Sequence, residues 1–179
     1  MSEEKLYKHP KVAVVMGSDS DLPTLTPAID ILSQFEVETE VRILSAHRTP
    51  KEMIEFASKA DSNNFSVIIA GAGGAAHLPG MIASITQIPV IGVPVLTKAL
   101  SGIDSMYSIL QMPGGIPVAT VAIGGALNAG LLATQIIALS NNVIKERVQN
   151  YRKSIHNKVV EKDKILQSIG VKKYIENNI

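Results

Sequence analysis

Short apolar runs alternate with amphipathic stretches along most of this chain. The first run, residues 11–16 (KVAVVM), is nearly continuous and rich in β-branched residues, as is typical of a strand covered on both faces. Similar runs predict four more strands, at about 38–44, 66–70, 89–93 and 118–123. Helical spacing between them predicts a first helix with its apolar positions between Leu22 and Phe35. Further helices are predicted from Pro50 toward Asp61, at about 78–85, and within 102–110.

Two of the predicted helices have unusual features. Pro23 suits a first helical turn, but Pro27 lies deep enough to remove a hydrogen bond, so we expect a late start or a kink there. The last helix is predicted from about Ala126 to Glu161, with a narrow apolar stripe on an otherwise charged rod. One domain of this size does not need so long a helix, and we expect its C-terminal half to pack on neighbouring subunits.

Strands that alternate with helices predict an α/β fold, with a parallel sheet covered on both faces. Five such units give a three-layer, flavodoxin-like or Rossmann-like domain with a long C-terminal helix. We predict one domain over residues 1–179 with its core in 11–140, because no linker, repeat or low-complexity segment interrupts the pattern.

Composition narrows the possible functions. The formal net charge is +1, so charge favours neither nucleic acid nor a membrane as a partner. The chain has no cysteine, which excludes disulfides, thiolate metal sites and cysteine nucleophiles. The N-terminal residues are charged and lack an apolar segment, so we expect a cytoplasmic protein.

Charged residues are distributed unevenly. Between Phe65 and Asn142, Lys98 and Asp104 are the only charged side chains. Large uncovered apolar areas usually mark interfaces, so we expect an obligate homo-oligomer. The apolar segment 119–139 does not predict a membrane span, because polar residues and glycines interrupt it and its pattern changes from strand to helix.

The segment Ser45–Pro50 (SAHRTP) lies where the second strand is followed by a helix. In parallel α/β sheets, ligands bind at this carboxyl edge of the strands. His47 can exchange protons near neutral pH, Arg48 suits phosphate or carboxylate, and Ser45 adds a hydroxyl. The simpler interpretation is a helix cap at Ser45 or Thr49 beside a surface histidine and arginine.

Residues 17–21 (GSDSD) follow the first strand. A strand-to-helix turn aims backbone N–H groups at a ligand, and Ser18 and Ser20 add donors for a phosphate. Asp21 can accept hydrogen bonds from ribose hydroxyls. The segment lacks the glycine patterns of dinucleotide sites and P-loops, and Ser20 or Asp21 could equally serve only as an N-cap.

Residues 71–80 (GAGGAAHLPG) follow the third strand. Gly73, Gly74 and Ala75 would let a ligand lie against backbone amides, although tight turns are the usual role of such glycines. His77 could be a second acid–base group, but the more common role would be to cap the short helix.

The remaining motifs carry weaker signals. The histidines have no ligand spacing with nearby acids, so we predict no metal, and we interpret His9 and His156 as solvated. Met112, near the fifth strand, could cover a flat ring but more usually fills a gap in a core. Together, the loops after the first three strands predict a site for a small phosphorylated ribosyl compound, with one histidine for proton transfer.

Four segments of the chain carry a resemblance to a known family. They are residues 15–21 (VMGSDSD), 45–50 (SAHRTP), 70–80 (AGAGGAAHLPG) and 108–113 (SILQMP). Over about residues 11–163 the chain resembles the PurE family, and within it the class I type, the N5-carboxyaminoimidazole ribonucleotide mutase of purine biosynthesis.

The resemblance implies an isomerase without metal or cofactor that moves a carboxylate from the exocyclic nitrogen of the imidazole to ring carbon C4. It implies that His47 transfers the proton and that Ser18, Asp21 and Arg48 bind the nucleotide. The implied path is decarboxylation in the site, capture of carbon dioxide by C4, and removal of the C4 proton. The implied assembly is a homo-octamer with C-terminal helices that reach across subunits.

Two alternatives stay open. Related class II carboxylases make the same product from aminoimidazole ribonucleotide and free carbon dioxide, but tend to carry lysine in the histidine loop, so Arg48 favours the mutase. A non-catalytic nucleotide-binding module on the same fold is the alternative from another class. The chain also departs from the family pattern, since Gly114 replaces an arginine common there and residues 124–128 form a shorter segment than usual.

Overall fold

Five parallel strands form one sheet in the computed structural model, which describes residues 10–178. The strands are β1 (Lys11–Met16), β2 (Glu38–Ile43), β3 (Phe65–Ala72), β4 (Val90–Pro94) and β5 (Ala119–Thr120). Their order, β2-β1-β3-β4-β5, is the flavodoxin-like order, so the predicted fold class is confirmed. His9 lies outside the described residues.

Helices cover both faces of the sheet. They are α1 (Leu22–Gln34), α2 (Pro50–Ser58), α3 (Leu78–Ala83), α4 (Ile103–Leu110), α5 (Ala126–Ala138), α6 (Asn142–Ile169) and α7 (Val171–Asn178). Neighbouring residues of β1 point to opposite faces: Val14 packs in a cluster with α1 and α5, whereas Val15 packs with α2 and α3. This double burial explains the continuous apolar run in β1.

Several boundaries differ from the predicted ones. β3 extends two residues further, to Ala72, and β5 has only two residues instead of the six predicted. β5 lies at the edge of the sheet, and two features limit its length. Pro117, before it, has no N–H to donate, and Gly124, after it, turns the chain with φ +69°. α2 ends at Ser58 rather than near Asp61.

The predicted late start of the first helix is wrong. α1 begins at Leu22 and continues through Pro27. Its inner face is fully buried at Leu25, Ala28 and Leu32, so packing against the sheet outweighs the one hydrogen bond that Pro27 cannot donate.

The predicted single helix at 126–161 is two helices. α5 ends at Ala138, and α6 begins at Asn142 because the Asn141 side chain caps it, accepting a hydrogen bond from the Ile144 N–H at 3.1 Å. α6 then continues beyond Glu161 to Ile169. Over residues 10–178, no helix combines the length and apolar character needed to cross a membrane.

The long helix α6 contacts the domain mainly through its first turns. Arg147 donates hydrogen bonds to the Phe35 carbonyl at 2.5 Å and to the Glu36 carboxylate at 2.6 Å. Residues 152–164 are all exposed, including Ile155 and Val159 of the apolar stripe. That this half of the helix packs on neighbouring subunits stays a prediction.

Candidate active site

A cleft of about 440 Å³ lies at the carboxyl edge of the sheet. The segments that follow β1, β2, β3 and β4 line it, because the carboxyl ends of parallel strands meet at one edge. Between β1 and β3 the chain reverses the direction in which it adds strands, and open α/β sheets bind ligands at such a switch point. Every candidate site residue except Gly74 lines this cleft: Ser18, Ser20, Asp21, Ser45, His47, Arg48, Gly73, Ala75 and His77.

The segment after β1 is ordered by its own side chains. Ser18 caps a short 3-10 turn, since its Oγ accepts hydrogen bonds from the Ser20 N–H at 3.3 Å and from the Ser20 hydroxyl at 3.0 Å. Asp21 occupies the N-cap position of α1, but no side-chain capping bond forms there among the described residues. The cap interpretation is therefore wrong for Asp21, whose carboxyl group lines the cleft instead.

Asp21 has an unusual electrostatic environment. Burial raises the pKa of this carboxyl above its ordinary value of 3.8, although hydrogen bonds from Ser18 and Ser20 and the charge of Arg48 lower it. A half-buried carboxylate is stabilised when ligand hydroxyls donate hydrogen bonds to it.

The segment after β2 is joined to the segment after β1 through Arg48. The Arg48 backbone N–H and Nε both donate to Ser45 Oγ, at 3.2 and 3.3 Å, and Nη2 donates to the Gly17 carbonyl at 2.7 Å. Ser45 is 8% exposed, so the guanidinium of Arg48 is bonded to a buried hydroxyl. Thr49 is the N-cap residue of α2 by position, yet its hydroxyl bonds back to Ser45 rather than capping the helix.

His47 and His77 meet across the cleft. Their facing nitrogens, Nε2 of His47 and Nδ1 of His77, lie 2.8 Å apart, and the ring planes stand at 74°. His77 is the N-cap residue of α3 by position, but within residues 10–178 its side chain makes no capping bond. The helix-cap interpretation of His77 is therefore wrong, whereas a role as a second acid–base group stays a prediction.

The residues that follow β3, from Gly73 to His77 (the glycine segment), do not all face the cleft. Gly73 and Ala75 line the cleft, whereas Gly74 directs its N–H away, to the hydroxyl of Ser105 at 2.9 Å. Gly74 has φ +67°, a backbone conformation that glycine adopts without strain. Gly74 therefore shapes the wall of the cleft without lining it.

Sequence reasoning missed part of the lining. Val95, Leu96 and Thr97, which follow β4, complete one wall. The rule that ligands bind where parallel strands end also applies to the fourth strand. The segment after it, however, contains no histidine, arginine or glycine pattern that indicates a site. Met112 packs with its Sδ close to Gly80 of α3 and is not among the lining residues, in agreement with its interpretation as a gap filler.

The titratable side chains of the cleft do not form a metal-binding group. Across the part of the chain that the structure describes, no three histidine, aspartate or glutamate side chains lie where they could hold one ion.

Comparisons with known proteins show which proteins this chain resembles. The family model described as AIR carboxylase matches residues 11–158. The chain is 59% identical to the N5-carboxyaminoimidazole ribonucleotide mutase of Synechocystis sp., over 93% of this chain and 95% of that protein. It is 51% identical to the phosphoribosylaminoimidazole carboxylase of Candida glabrata over 99% of this chain, which corresponds to 31% of that protein. Among solved structures, PurE of Treponema denticola is similar with a TM-score of 0.81 and 30% identity, over 88% of this chain and 98% of that chain.

Proposed function

Since the chain belongs to the AIR carboxylase family, we propose that it is an isomerase of purine biosynthesis that converts N5-carboxyaminoimidazole ribonucleotide to 4-carboxy-5-aminoimidazole ribonucleotide. One observation carries this proposal: the His47–Arg48 pair lines a switch-point cleft in a chain that is 59% identical to a protein named as that mutase. The match extends over almost the whole length of both proteins.

The nucleotide end of the substrate would bind where the segments after β1 and β2 meet. Ser18 and Ser20 supply hydroxyl donors, and Arg48 supplies a guanidinium suited to a phosphate. Asp21 would accept hydrogen bonds from the ribose hydroxyls, which would stabilise its buried charge. Because Arg48 also donates to the Gly17 carbonyl, substrate binding and the geometry of both segments depend on the same side chain.

The carboxylate transfer needs one proton to arrive and one to leave. When the bond from the exocyclic nitrogen to the carboxylate breaks, that nitrogen takes up a proton and carbon dioxide is released inside the cleft. C4 then attacks the carbon dioxide, and the proton on C4 must leave to restore the aromatic ring. The two proton movements balance, so His47 alone can serve as acid for the first and base for the second.

Retention of carbon dioxide requires a wall that excludes water. Ala72, Leu78 and Val95 contribute apolar side chains to the lining of the cleft, which also includes Gly73 and His77. His77 contacts His47 and would hold its ring toward this wall. We therefore place the reacting carbon atoms between His47 and the glycine segment.

The exposed apolar surface supports the proposal of a homo-oligomer. Large apolar side chains on and before the outer face of α4 are about half exposed or more: Leu96, Leu100, Ile103, Tyr107 and Leu110. A surface of this kind in a stretch with two charged residues is typical of a subunit interface. The octamer and the cytoplasmic location stay predictions.

A direct assay tests the function. Purified protein should interconvert the two carboxylated isomers at low bicarbonate, without added metal or nucleoside triphosphate. The similarity to the carboxylase of Candida glabrata favours one competing activity, the carboxylation of aminoimidazole ribonucleotide by free carbon dioxide. This alternative is tested with aminoimidazole ribonucleotide as the sole nucleotide substrate. If product then forms only when carbon dioxide is added, and the two carboxylated isomers are not interconverted, the protein is a carboxylase and not a mutase.

A further inference from the structure

Ser105 is a buried hydroxyl that the proposed mechanism does not use. It lies in the first turn of α4, with 0% of its surface exposed. Its Oγ donates a hydrogen bond to the Val95 carbonyl at 2.7 Å and accepts one from the Gly74 N–H at 2.9 Å. One hydroxyl thus joins the segment after β3 to the end of β4.

Both partners of Ser105 belong to the wall of the cleft. Gly73 and Ala75, on either side of Gly74, line the cleft, and so does Val95 itself. The Val95 N–H donates to the Ala72 carbonyl at 2.9 Å, just before Gly73, and the His77 ring contacts His47. Within the turn itself, the Ala76 and His77 N–H groups bond locally, to the Gly74 and Ala75 carbonyls. Local bonds set the shape of a turn, whereas the bond to Ser105 fixes the turn relative to the next strand.

Gly74 combines this contact with an unusual backbone conformation. At φ +67° the residue occupies the left-handed region, and no described atom lies within 4 Å of the position where a Cβ would stand. Packing therefore does not hold the turn from that side. Glycine is the most permissive residue in backbone conformation, so a turn built on it relies on hydrogen bonds for its rigidity.

The same turn of α4 also contacts Thr97, two residues after Val95 in the segment that follows β4. Asp104, the residue before Ser105, accepts a hydrogen bond from the Thr97 hydroxyl at 2.7 Å, and Thr97 lines the cleft. Adjacent residues of one helical turn thus hold two different wall segments. The position of α4 therefore affects both the glycine segment and the segment after β4.

We propose that Ser105 is a positioning residue that holds the glycine segment against the end of β4, so that carbon dioxide released in the cleft stays beside C4 until it is captured. This inference rests on the proposed mutase function. Without the hydroxyl, the Gly74 N–H loses its partner and the segment can move away from Val95. Carbon dioxide would then escape and leave aminoimidazole ribonucleotide as a side product.

The test compares Ser105→Ala with Thr134→Ala. Thr134 is also 0% exposed, and its hydroxyl donates to the Leu131 carbonyl at 2.7 Å inside α5, away from the cleft. Both variants lose one buried hydroxyl bonded to a backbone carbonyl, so both should melt at a lower temperature than the wild-type protein. Product analysis should show that the fraction of aminoimidazole ribonucleotide released per turnover rises about tenfold in Ser105→Ala, as the loss of one hydrogen bond of ordinary strength can produce. In Thr134→Ala that fraction should equal the wild-type value.

A second variant protects the test against a folding defect. Gly74→Ala leaves Ser105 intact and meets no described neighbour, but the added Cβ disfavours the left-handed conformation. It should raise the side-product fraction in the same way. If both Ser105→Ala and Gly74→Ala retain the wild-type fraction, the role of Ser105 is wrong. If the wild-type protein does not form 4-carboxy-5-aminoimidazole ribonucleotide at all, the proposed function fails instead.

Discussion

Nε2 of His47 lies 2.8 Å from Nδ1 of His77, although the two residues are 30 positions apart in the chain. Only one proton can occupy the line between two such nitrogens, so one ring donates and the other accepts. A ring held by this contact cannot rotate freely, and its tautomer is coupled to that of its partner. The pair thus gives the proposed proton-transfer residue a fixed orientation in an otherwise open cleft.

His47→Asn should abolish the interconversion of the two carboxylated nucleotides. Asparagine can form hydrogen bonds but cannot carry a proton between the exocyclic nitrogen and C4. Nucleotide affinity, measured by calorimetry, should stay within about threefold of the wild-type value, since the proposed phosphate and ribose contacts are made by other residues. His156→Asn, on the exposed part of α6, is the matched control. Full activity in His47→Asn would remove His47 from the mechanism.

His77→Asn should lower kcat about tenfold with little change in KM. The reason is that His77 contacts His47 and acts through its orientation, so its loss affects the transition state more than substrate binding. Steady-state kinetics in both directions measure the split. An equal increase in KM with unchanged kcat would instead make His77 a binding residue.

Asp21→Asn should increase the stability of the folded protein at pH 7 and weaken nucleotide binding. Because burial raises the pKa of Asp21, the folded protein binds more protons than the unfolded chain in the pH range just above 3.8. Wild-type stability therefore falls as pH rises through that range, and the full penalty persists at neutral pH. The uncharged variant lacks the penalty and should unfold at higher urea concentration at pH 7, with the advantage lost once pH is below about 3.8.

The same variant should bind the nucleotide more weakly, because an amide accepts hydrogen bonds from ribose hydroxyls less strongly than a carboxylate does. An Asp21→Asn protein with unchanged KM would contradict the ribose contact. Unchanged stability at pH 7 would contradict the burial cost.

Tyr107→Glu should shift the protein toward smaller assemblies. Tyr107 is 57% exposed on the outer face of α4, among apolar neighbours, and a carboxylate there could not be buried between subunits without a large desolvation cost. Sedimentation velocity at micromolar concentration measures the change. Lys51→Glu, on the charged and exposed face of α2, is the control and should leave the assembly intact. A wild-type monomer would overturn the predicted oligomer.

Gly130→Ala should destabilise the fold by about 1–3 kcal/mol, the usual cost of overpacking a buried contact. A Cβ at Gly130 would overlap the Ile31 side chain and approach the Ala28 carbonyl at 3.1 Å, where α5 crosses α1. Urea denaturation measures the loss. Gly114→Ala is the control, since no described atom lies within 4 Å of the added methyl group.

Local patterns were enough to predict much of the fold. The β-branched run of β1, the start of α2 at Pro50 and the start of α5 at Ala126 all agree with the structure, because side-chain periodicity and terminal residues act within a few positions. The break between α5 and α6 was missed: the apolar pattern continues past it, and the capping bond of Asn141 is a single short-range event. The late start predicted for α1 is wrong because burial against the sheet outweighs propensity.

By itself, the sequence determined which chemistry the chain carries and that it lies at strand ends: His47, Arg48, Asp21 and the glycine segment are all placed by the alternation of strands and helices. The tertiary structure decided which of them meet. Strand order brings the segments after β1 and β3 together, turns His77 from a helix cap into the partner of His47, and adds the segment after β4. The physical reason is that hydrogen bonds across the cleft join residues far apart in the chain. Local periodicity depends only on near neighbours in the sequence and cannot predict such contacts.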